Sequence, residues 1–285
     1  MKKLKSINAI VIAVSFCLFT QSRCPAQTRF ATSADSIRIA YEVHGKGTPA
    51  LVFVHGWSCD RSYWKGQIKP FSSDFTVVAI DLAGHGESGI GRKGWTMEAF
   101  GTDVAAVVKK LDLQRVILIG HSMGSPVIAE AARHLRGRVA GLVMVDQYKN
   151  IATGLTEQEV EAFASQLRTN FADSTKAFVR RMFVSTSDSA LVEMVAADMS
   201  SAPPAIALEA VSTTLNYSRR ITQTLNELKL PVIAINDNGR PTDIGSMERY
   251  GIQVMIMPGV GHFMMMEDPE TFNRLLRTAI SKLVK

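Results

Sequence analysis

Apolar positions along the chain follow two patterns, and the first is that of buried strands. Several short runs of consecutive apolar residues each stop at a polar residue or at glycine. A run of this length is typical of a strand that is covered on both faces. An early stretch alternates more loosely and predicts one or two strands of its own. The strands predicted in this way lie within 28–43, 50–54, 75–80, 116–119, 139–145, 231–235 and 252–257.

The second pattern is the three- and four-residue spacing of helices. It predicts helices over 97–111 and 125–135, between the early strands. From about residue 156 to residue 228 no strand pattern occurs, and helical spacing continues with a break at Pro203-Pro204. Asp268-Pro269, a typical start for a helix, predicts the last one.

Strands that alternate with helices predict an α/β fold, with a mostly parallel sheet and helices on both faces. The long helical stretch exceeds what one crossover connection needs. It is therefore interpreted as a cap of residues 148–225, inserted over the carboxyl edge of the sheet, where ligands bind in such folds. The core is then expected to comprise residues 27–147 and 226–285.

The first 26 residues have the pattern of a secretory signal peptide. A basic start precedes an apolar stretch over 7–19 and the small-residue end Cys24-Pro-Ala26. Cleavage there removes four basic residues and no acidic one, so the formal net charge of +6 falls to +2. The basic charge thus indicates targeting, and no nucleic-acid partner is expected. The mature protein is predicted to be secreted or periplasmic, without a membrane anchor, and it retains only Cys59.

Candidate chemistry lies in the segment Val116-Ile-Leu-Ile-Gly-His-Ser-Met-Gly124. A predicted strand ends at Gly120, Ser122 follows, and a predicted helix begins near Gly124. This is a G-x-S-x-G nucleophile elbow in the expected order of strand, turn and helix. Ser122 is the candidate nucleophile. Because a serine alcohol is a weak nucleophile at neutral pH, it needs a base and a site that stabilises the oxyanion.

These residues resemble the α/β-hydrolase superfamily, and within it the capped esterase and haloperoxidase-like serine hydrolases. The resemblance covers about residues 36 to 285 and implies the fold, the position of the cap and a Ser-His-Asp triad. Epoxide hydrolases and haloalkane dehalogenases of this superfamily have an aspartate where this chain has Ser122. The serine argues against both activities.

His262 is the candidate base. It lies in the glycine-containing loop Pro258-Gly-Val-Gly-His-Phe263, directly after the last predicted strand. Triad members in this superfamily follow the chain order Ser, acid, His, with the histidine late. An imidazole can accept the serine proton and return it to the leaving group near neutral pH.

The triad acid is less clearly marked, because the chain departs from the usual family pattern. Counting from Pro231, the position expected to be acidic holds Arg240, flanked by Asp237 and Asp243. Asp146 follows the strand after the elbow helix, which is the alternative position in the superfamily. Asp146 is the preferred acid, with Asp237 as the main alternative and Asp243 after it. Its role would be to fix the imidazole tautomer and to stabilise the imidazolium.

The oxyanion hole is expected to consist of two backbone N–H groups. One belongs to Met123, which follows the nucleophile, and the other comes from the loop His55-Gly-Trp-Ser58 after an early strand. Trp57 is the expected second donor.

These residues together predict a hydrolase that cleaves a carboxylic ester, including a lactone or thioester, through an acyl-enzyme. The expected partner is a small, apolar ester, and no cofactor motif or metal-ligand spacing is found in the sequence. Two alternatives stay open. One is cofactor-free hydrolysis of a C–C or amide bond by the same triad, and the other is a ligand-binding receptor built on a hydrolase scaffold.

Overall fold

A computed structural model describes residues 27–284 of the chain. The predicted signal peptide lies outside the described residues. Among the residues that are described, no helix has the length and the apolar character that a membrane crossing requires.

One eight-stranded sheet forms the centre of the molecule, in the order β1-β2-β4-β3-β5-β6-β7-β8. The strand β2 pairs antiparallel with β1 and β4, and the other five neighbouring pairs, from β4 and β3 to β7 and β8, are parallel. This confirms the predicted mostly parallel α/β fold. The strands are β1 Arg29–Thr32, β2 Arg38–His44, β3 Ala50–Val54, β4 Thr76–Ile80, β5 Val116–His121, β6 Val139–Val145, β7 Val232–Asp237 and β8 Ile252–Met257.

Helices cover both faces of this sheet, and the described residues form eleven of them. A 3-10 turn at Arg61–Trp64 precedes the first. The helices are α1 Lys65–Phe71, α2 Met97–Lys110, α3 Gly124–His134, α4 Glu157–Thr169, α5 Phe171–Arg180, α6 Ser189–Ser200, α7 Pro204–Tyr217, α8 Ile221–Leu228, α9 Ile244–Arg249, α10 Met264–Glu267 and α11 Pro269–Leu283.

The five helices α4 to α8 follow one another between β6 and β7, as the helical spacing predicts. The first is started by a capping box, in which Thr156 and Glu159 bond each other's backbone N–H groups. The chain leaves α6 before Pro203 and enters α7 at Pro204, so the proline pair separates two helices. The expected cap boundary after residue 225 falls inside α8, which packs against α3 of the core. The division into cap and core stays a prediction.

The inner strands are almost entirely buried because helices pack on both of their faces. Every residue of β3, β5 and β7 is buried. Since β5, β6, β7 and β8 are parallel, their carboxyl ends meet at one edge of the sheet. Ser122 directly follows β5, Asp146 directly follows β6, and Asp237 is the last residue of β7. His262 lies in the loop after β8.

Candidate active site

Ser122 lies in the sharp turn between β5 and α3. Its φ angle is +50°, a left-handed conformation that is unusual for serine. The turn is held by a hydrogen bond of 2.8 Å from the Ser122 N–H to the Val145 carbonyl. A Cβ at Gly120 would overlap the carbonyl of Gly124, and one at Gly124 would lie 2.6 Å from the Val54 carbonyl oxygen. Both glycines are therefore required for the elbow to pass between the strands.

His262 is fixed in the loop after β8 by contacts on its ring and on its backbone. Its Nδ1 lies 2.7 Å from Asp146 Oδ2 and donates to that carboxylate. The His262 N–H donates to the Met182 carbonyl at 2.8 Å, and His121 Nε2 donates to the His262 carbonyl at 2.9 Å. A Cβ at Gly261 would overlap the Met182 carbonyl, which explains the glycine before the histidine. With Nδ1 protonated, Nε2 is the acceptor that a base needs.

The nucleophile and the base line the same cavity. Within residues 27–284, the Ser122 hydroxyl donates no hydrogen bond to His262 or to any other residue. Catalytic hydrogen bonds are often long before substrate binds and tighten in the reacting complex.

Of the three candidate acids, only Asp146 contacts the His262 ring. The carboxylate of Asp237 instead faces Lys149, whose Nζ lies 3.2 Å from Asp237 Oδ2. Asp243 caps α9 by accepting a hydrogen bond from the Ser246 N–H at 2.8 Å. The geometry thus places Asp146, and neither alternative, in the position of a triad acid, while its catalytic role stays a prediction.

Three donors surround the Asp146 carboxylate. Besides His262 on Oδ2, Oδ1 accepts from Lys149 Nζ at 2.6 Å and from the Asp237 N–H at 3.0 Å. Burial alone would raise the pKa of Asp146, but the hydrogen bond and charge of His262, with the charge of Lys149, hold that pKa well below its usual range. Burial and the neighbouring Asp146 carboxylate raise the pKa of Asp237. Asp146 is thus the more acidic group of the pair.

The loop after β3 is locked by the His55 side chain. Nδ1 of His55 donates to the Gly56 carbonyl at 2.8 Å, and Nε2 accepts from the Leu82 N–H at 3.0 Å. Burial lowers the pKa of His55 to about 4, so the ring stays neutral and keeps its acceptor. Because the peptide bond between Gly56 and Trp57 is trans, the Gly56 carbonyl and the Trp57 N–H point in opposite directions.

This loop runs close to the nucleophile. A Cβ on Gly56 would lie only 3.3 Å from the Cβ of Ser122. In the described part of the chain, no acceptor takes a hydrogen bond from the N–H of Trp57 or of Met123. Both predicted oxyanion donors are therefore available to a ligand oxygen.

A comparison with protein families agrees with this arrangement. The model of the alpha/beta hydrolase family matches residues 51–275. The chain belongs to the alpha/beta hydrolase family. This confirms the family inferred from the elbow sequence.

Individual relatives cover different shares of this alpha/beta hydrolase. A non-heme haloperoxidase from Rhodococcus erythropolis is 33% identical over 150 residues, which are 50% of this chain and 54% of that protein. The chain thus matches only about half the length of that curated relative. A thermophilic esterase from Thermogutta terrifontis is 27% identical with a TM-score of 0.74, covering 90% of this chain and 99% of that one. A bromoperoxidase from Bacillus anthracis has a TM-score of 0.77 at 20% identity and shares the fold, covering 90% and 100% of the two chains.

The cavity of this alpha/beta hydrolase has a volume of about 670 Å³ and lies between the sheet edge and the helices α4 to α7. Its walls are mainly apolar and aromatic: Trp57, Phe163, Phe178, Met182, Phe183, Val184, Met199, Val211 and Leu215. The Trp57 side chain is anchored by a hydrogen bond of 2.7 Å from its Nε1 to the Ala207 carbonyl. Over the range 27–284, no three His, Cys, Asp or Glu side chains are grouped in a way that could hold a metal ion.

Sequence reasoning missed Lys149 and the locking role of His55. Lys149 follows Asp146 by three residues, a spacing that allows contact when the chain turns after a strand. The spacing of the acidic and basic residues in Asp146-Gln-Tyr-Lys149 was therefore the available signal. No glycine or proline in this run indicates the turn.

Proposed function

We propose that this alpha/beta hydrolase cleaves a carboxylic ester through an acyl-enzyme formed on Ser122. The observation that carries the proposal is the 2.7 Å contact between His262 Nδ1 and Asp146 Oδ2, because it leaves Nε2 free on the wall of the cavity that Ser122 lines. A histidine oriented in this way by a carboxylate is the arrangement that activates a serine. The likeness to an esterase at 27% identity supports the same class of substrate.

In the first half of the proposed reaction, Ser122 Oγ attacks the ester carbonyl carbon while His262 Nε2 takes the hydroxyl proton. The N–H groups of Trp57 and Met123 donate to the resulting oxyanion. When the tetrahedral intermediate collapses, the C–O bond to the alcohol breaks, and His262 returns the proton to the departing oxygen.

In the second half, water attacks the acyl carbon and gives its proton to His262. Collapse then releases the carboxylic acid, and His262 returns the proton to Ser122. Asp146 stays ionised throughout and stabilises the imidazolium in both halves, without taking the proton itself. The apolar walls of the cavity favour an acyl group of similar character.

A fluorophosphonate probe tests the proposal directly. We expect rapid covalent labelling of the wild type, complete loss of labelling in Ser122→Ala, and unchanged labelling in Ser165→Ala, which alters an exposed serine on α4. A folded wild type that resists the probe would overturn the proposal and favour a ligand-binding receptor. Hydrolysis of matched p-nitrophenyl esters and p-nitroanilides then separates ester from amide cleavage.

We also propose that the enzyme acts outside the cytoplasm, as a secreted or periplasmic protein. The support is the basic and then apolar pattern of residues 1–26. Expression of the full chain in a bacterial host, followed by fractionation and N-terminal sequencing, tests this. The expected mature chain begins after Ala26, and an unprocessed cytoplasmic protein would contradict the proposal.

A further inference from the structure

Two arginines line the cavity, whose walls are mainly apolar. Arg181 follows α5 in the inserted helices, and Arg240 lies in the loop after β7. Both residues are exposed. They belong to different parts of the fold, one to the end of a helix of the inserted segment and the other to a loop at the sheet edge.

Neither arginine forms a salt bridge with another described residue. Across the described ranges, no Asp or Glu oxygen lies within 4 Å of either one. Among the residues that the structure describes, the carboxylates that line the cavity are Asp146 and Asp237, and these already contact His262 and Lys149. The neighbouring Arg180 shows the contrast, because its guanidinium is bound by Glu193 at 2.6 Å.

The loop that carries Arg240 is itself held in place. The Asp237 carboxylate accepts a hydrogen bond from the Gly239 N–H, and the Asn238 side chain accepts one from the Gly259 N–H at 3.2 Å. A guanidinium offers paired N–H donors that match the two oxygens of a carboxylate.

From these observations we propose that the preferred substrate is an ester with an apolar body and one anionic group, which Arg181 and Arg240 bind at a distance from the scissile bond. The inference rests on the proposed esterase function and names its substrate class. The contact between the enzyme and an anionic group remote from the reacting carbon is equally strong in the ground state and in the transition state. The preference should therefore appear in KM, with kcat changed little.

Matched pairs of esters test the proposal. On the acyl side, mono(p-nitrophenyl) adipate is compared with its methyl ester, which masks the free carboxylate. On the alcohol side, the hexanoate ester of p-hydroxybenzoate is compared with that of methyl p-hydroxybenzoate. We expect wild-type kcat/KM to favour the anionic member of one pair about tenfold, and the pair that shows it locates the anion. The preference should shrink as salt rises from about 20 mM to about 500 mM, because salt screens exposed charges.

The ratio of anionic to neutral kcat/KM should fall about tenfold in Arg181→Gln and in Arg240→Gln. Two controls remove arginines outside the cavity: Arg180→Gln, whose partner is Glu193, and Arg249→Gln, on the exposed surface of α9. Both should keep the wild-type ratio. Circular dichroism and the urea midpoint establish that each variant is folded.

The outcomes separate this inference from the proposed function. Ser122-dependent hydrolysis of neutral esters without an anionic preference would overturn the anion site and leave the esterase standing. An anionic preference that persists in both cavity variants would also overturn it. If wild-type protein hydrolyses neither member of either pair, the proposed ester hydrolysis is itself overturned.

Discussion

Lys149 Nζ lies 2.6 Å from Asp146 Oδ1, on the carboxylate oxygen that His262 does not contact. The same Nζ donates to the Asp237 backbone carbonyl at 2.9 Å and faces the Asp237 carboxylate at 3.2 Å. One lysine thus joins the ends of β6 and β7 and offsets the charge of two buried carboxylates. It is a positioning residue for the proposed acid, with a consequence for pH dependence.

Lys149→Met should shift the acid side of the kcat/KM profile to higher pH. Activity requires an unprotonated His262, and removing a nearby cation leaves two carboxylates that favour the imidazolium. We expect a shift of about one pH unit, together with a fall in kcat. The measurement is kcat/KM for a neutral p-nitrophenyl ester between about pH 4.5 and pH 9. Lys149→Arg keeps the charge and should keep the wild-type limb; a loss of kcat in Lys149→Met without any shift would mean that Lys149 acts only on the structure.

Asp146→Asn should lower kcat by about 10⁴, because an amide neither selects the correct imidazole tautomer nor stabilises the imidazolium. Asp237→Asn is the matched variant, since Asp237 ends the neighbouring strand and contacts Lys149 without reaching His262. It should lower kcat by no more than about tenfold, because no bond to the base is lost. Steady-state kinetics on both variants check this. Equal losses, or a larger loss in Asp237→Asn, would assign the acid role to Asp237.

The preference between these two aspartates shows where sequence reasoning reaches its limit. Asp146 and Asp237 both stand at the carboxyl ends of parallel neighbours, because β6 and β7 pair in register from Leu142 to Val145. Which side chain meets His262 depends on the backbone, and Asp146 adopts φ +50° after its strand. No glycine or asparagine marks that conformation in the sequence.

The strands were easier to predict from the sequence than the triad acid. The strands β3 and β6 have the bounds that their apolar runs predict, because a strand covered on both faces is apolar along its length. The edge strand β8 also has its predicted bounds, although Gln253 and Ile256 are exposed. The helices α1, α9 and α10 were not predicted. They have seven, six and four residues, too few for a helical period to repeat, and α1 also contains Pro70.

Stability should fall on acidification through a range set by three buried histidines. Burial, and secondarily neighbouring histidines, lowers the pKa of His85 and His121 to about 3, and burial lowers that of His55 to about 4. Below the ordinary value of 6.5 the unfolded chain binds these protons and the folded chain does not. The free energy of unfolding therefore rises with pH between about 4 and 6.5, and the stability gained in this range is lost again as the pH falls.

His85→Phe isolates one of these protons, since the ring packs against His55 and Phe100. Relative to this variant, the wild type should lose about 1.4 kcal/mol of stability per pH unit between about pH 6 and pH 4.5. Urea unfolding at several pH values gives the difference. A difference that stays constant with pH would show that His85 is not held neutral in the fold.

Tyr217→Phe should destabilise the protein by about 1–3 kcal/mol, because it leaves a buried carboxylate without one of its donors. The Tyr217 hydroxyl, on α7, donates to Glu130 on α3 and lies 2.9 Å from Thr224 Oγ1 on α8. Glu130 is only 2% exposed, so water does not replace the lost bond readily. This hydroxyl therefore connects the helices inserted between β6 and β7 to the helix that follows the nucleophile.

Tyr148→Phe is the matched control, since its buried hydroxyl has no hydrogen-bond partner among residues 27–284, and its removal should cost no stability. Urea midpoints of the two variants decide the matter: a Tyr217→Phe protein as stable as the wild type would show that the contact contributes nothing, and a matching loss in Tyr148→Phe would trace the effect to packing of the ring.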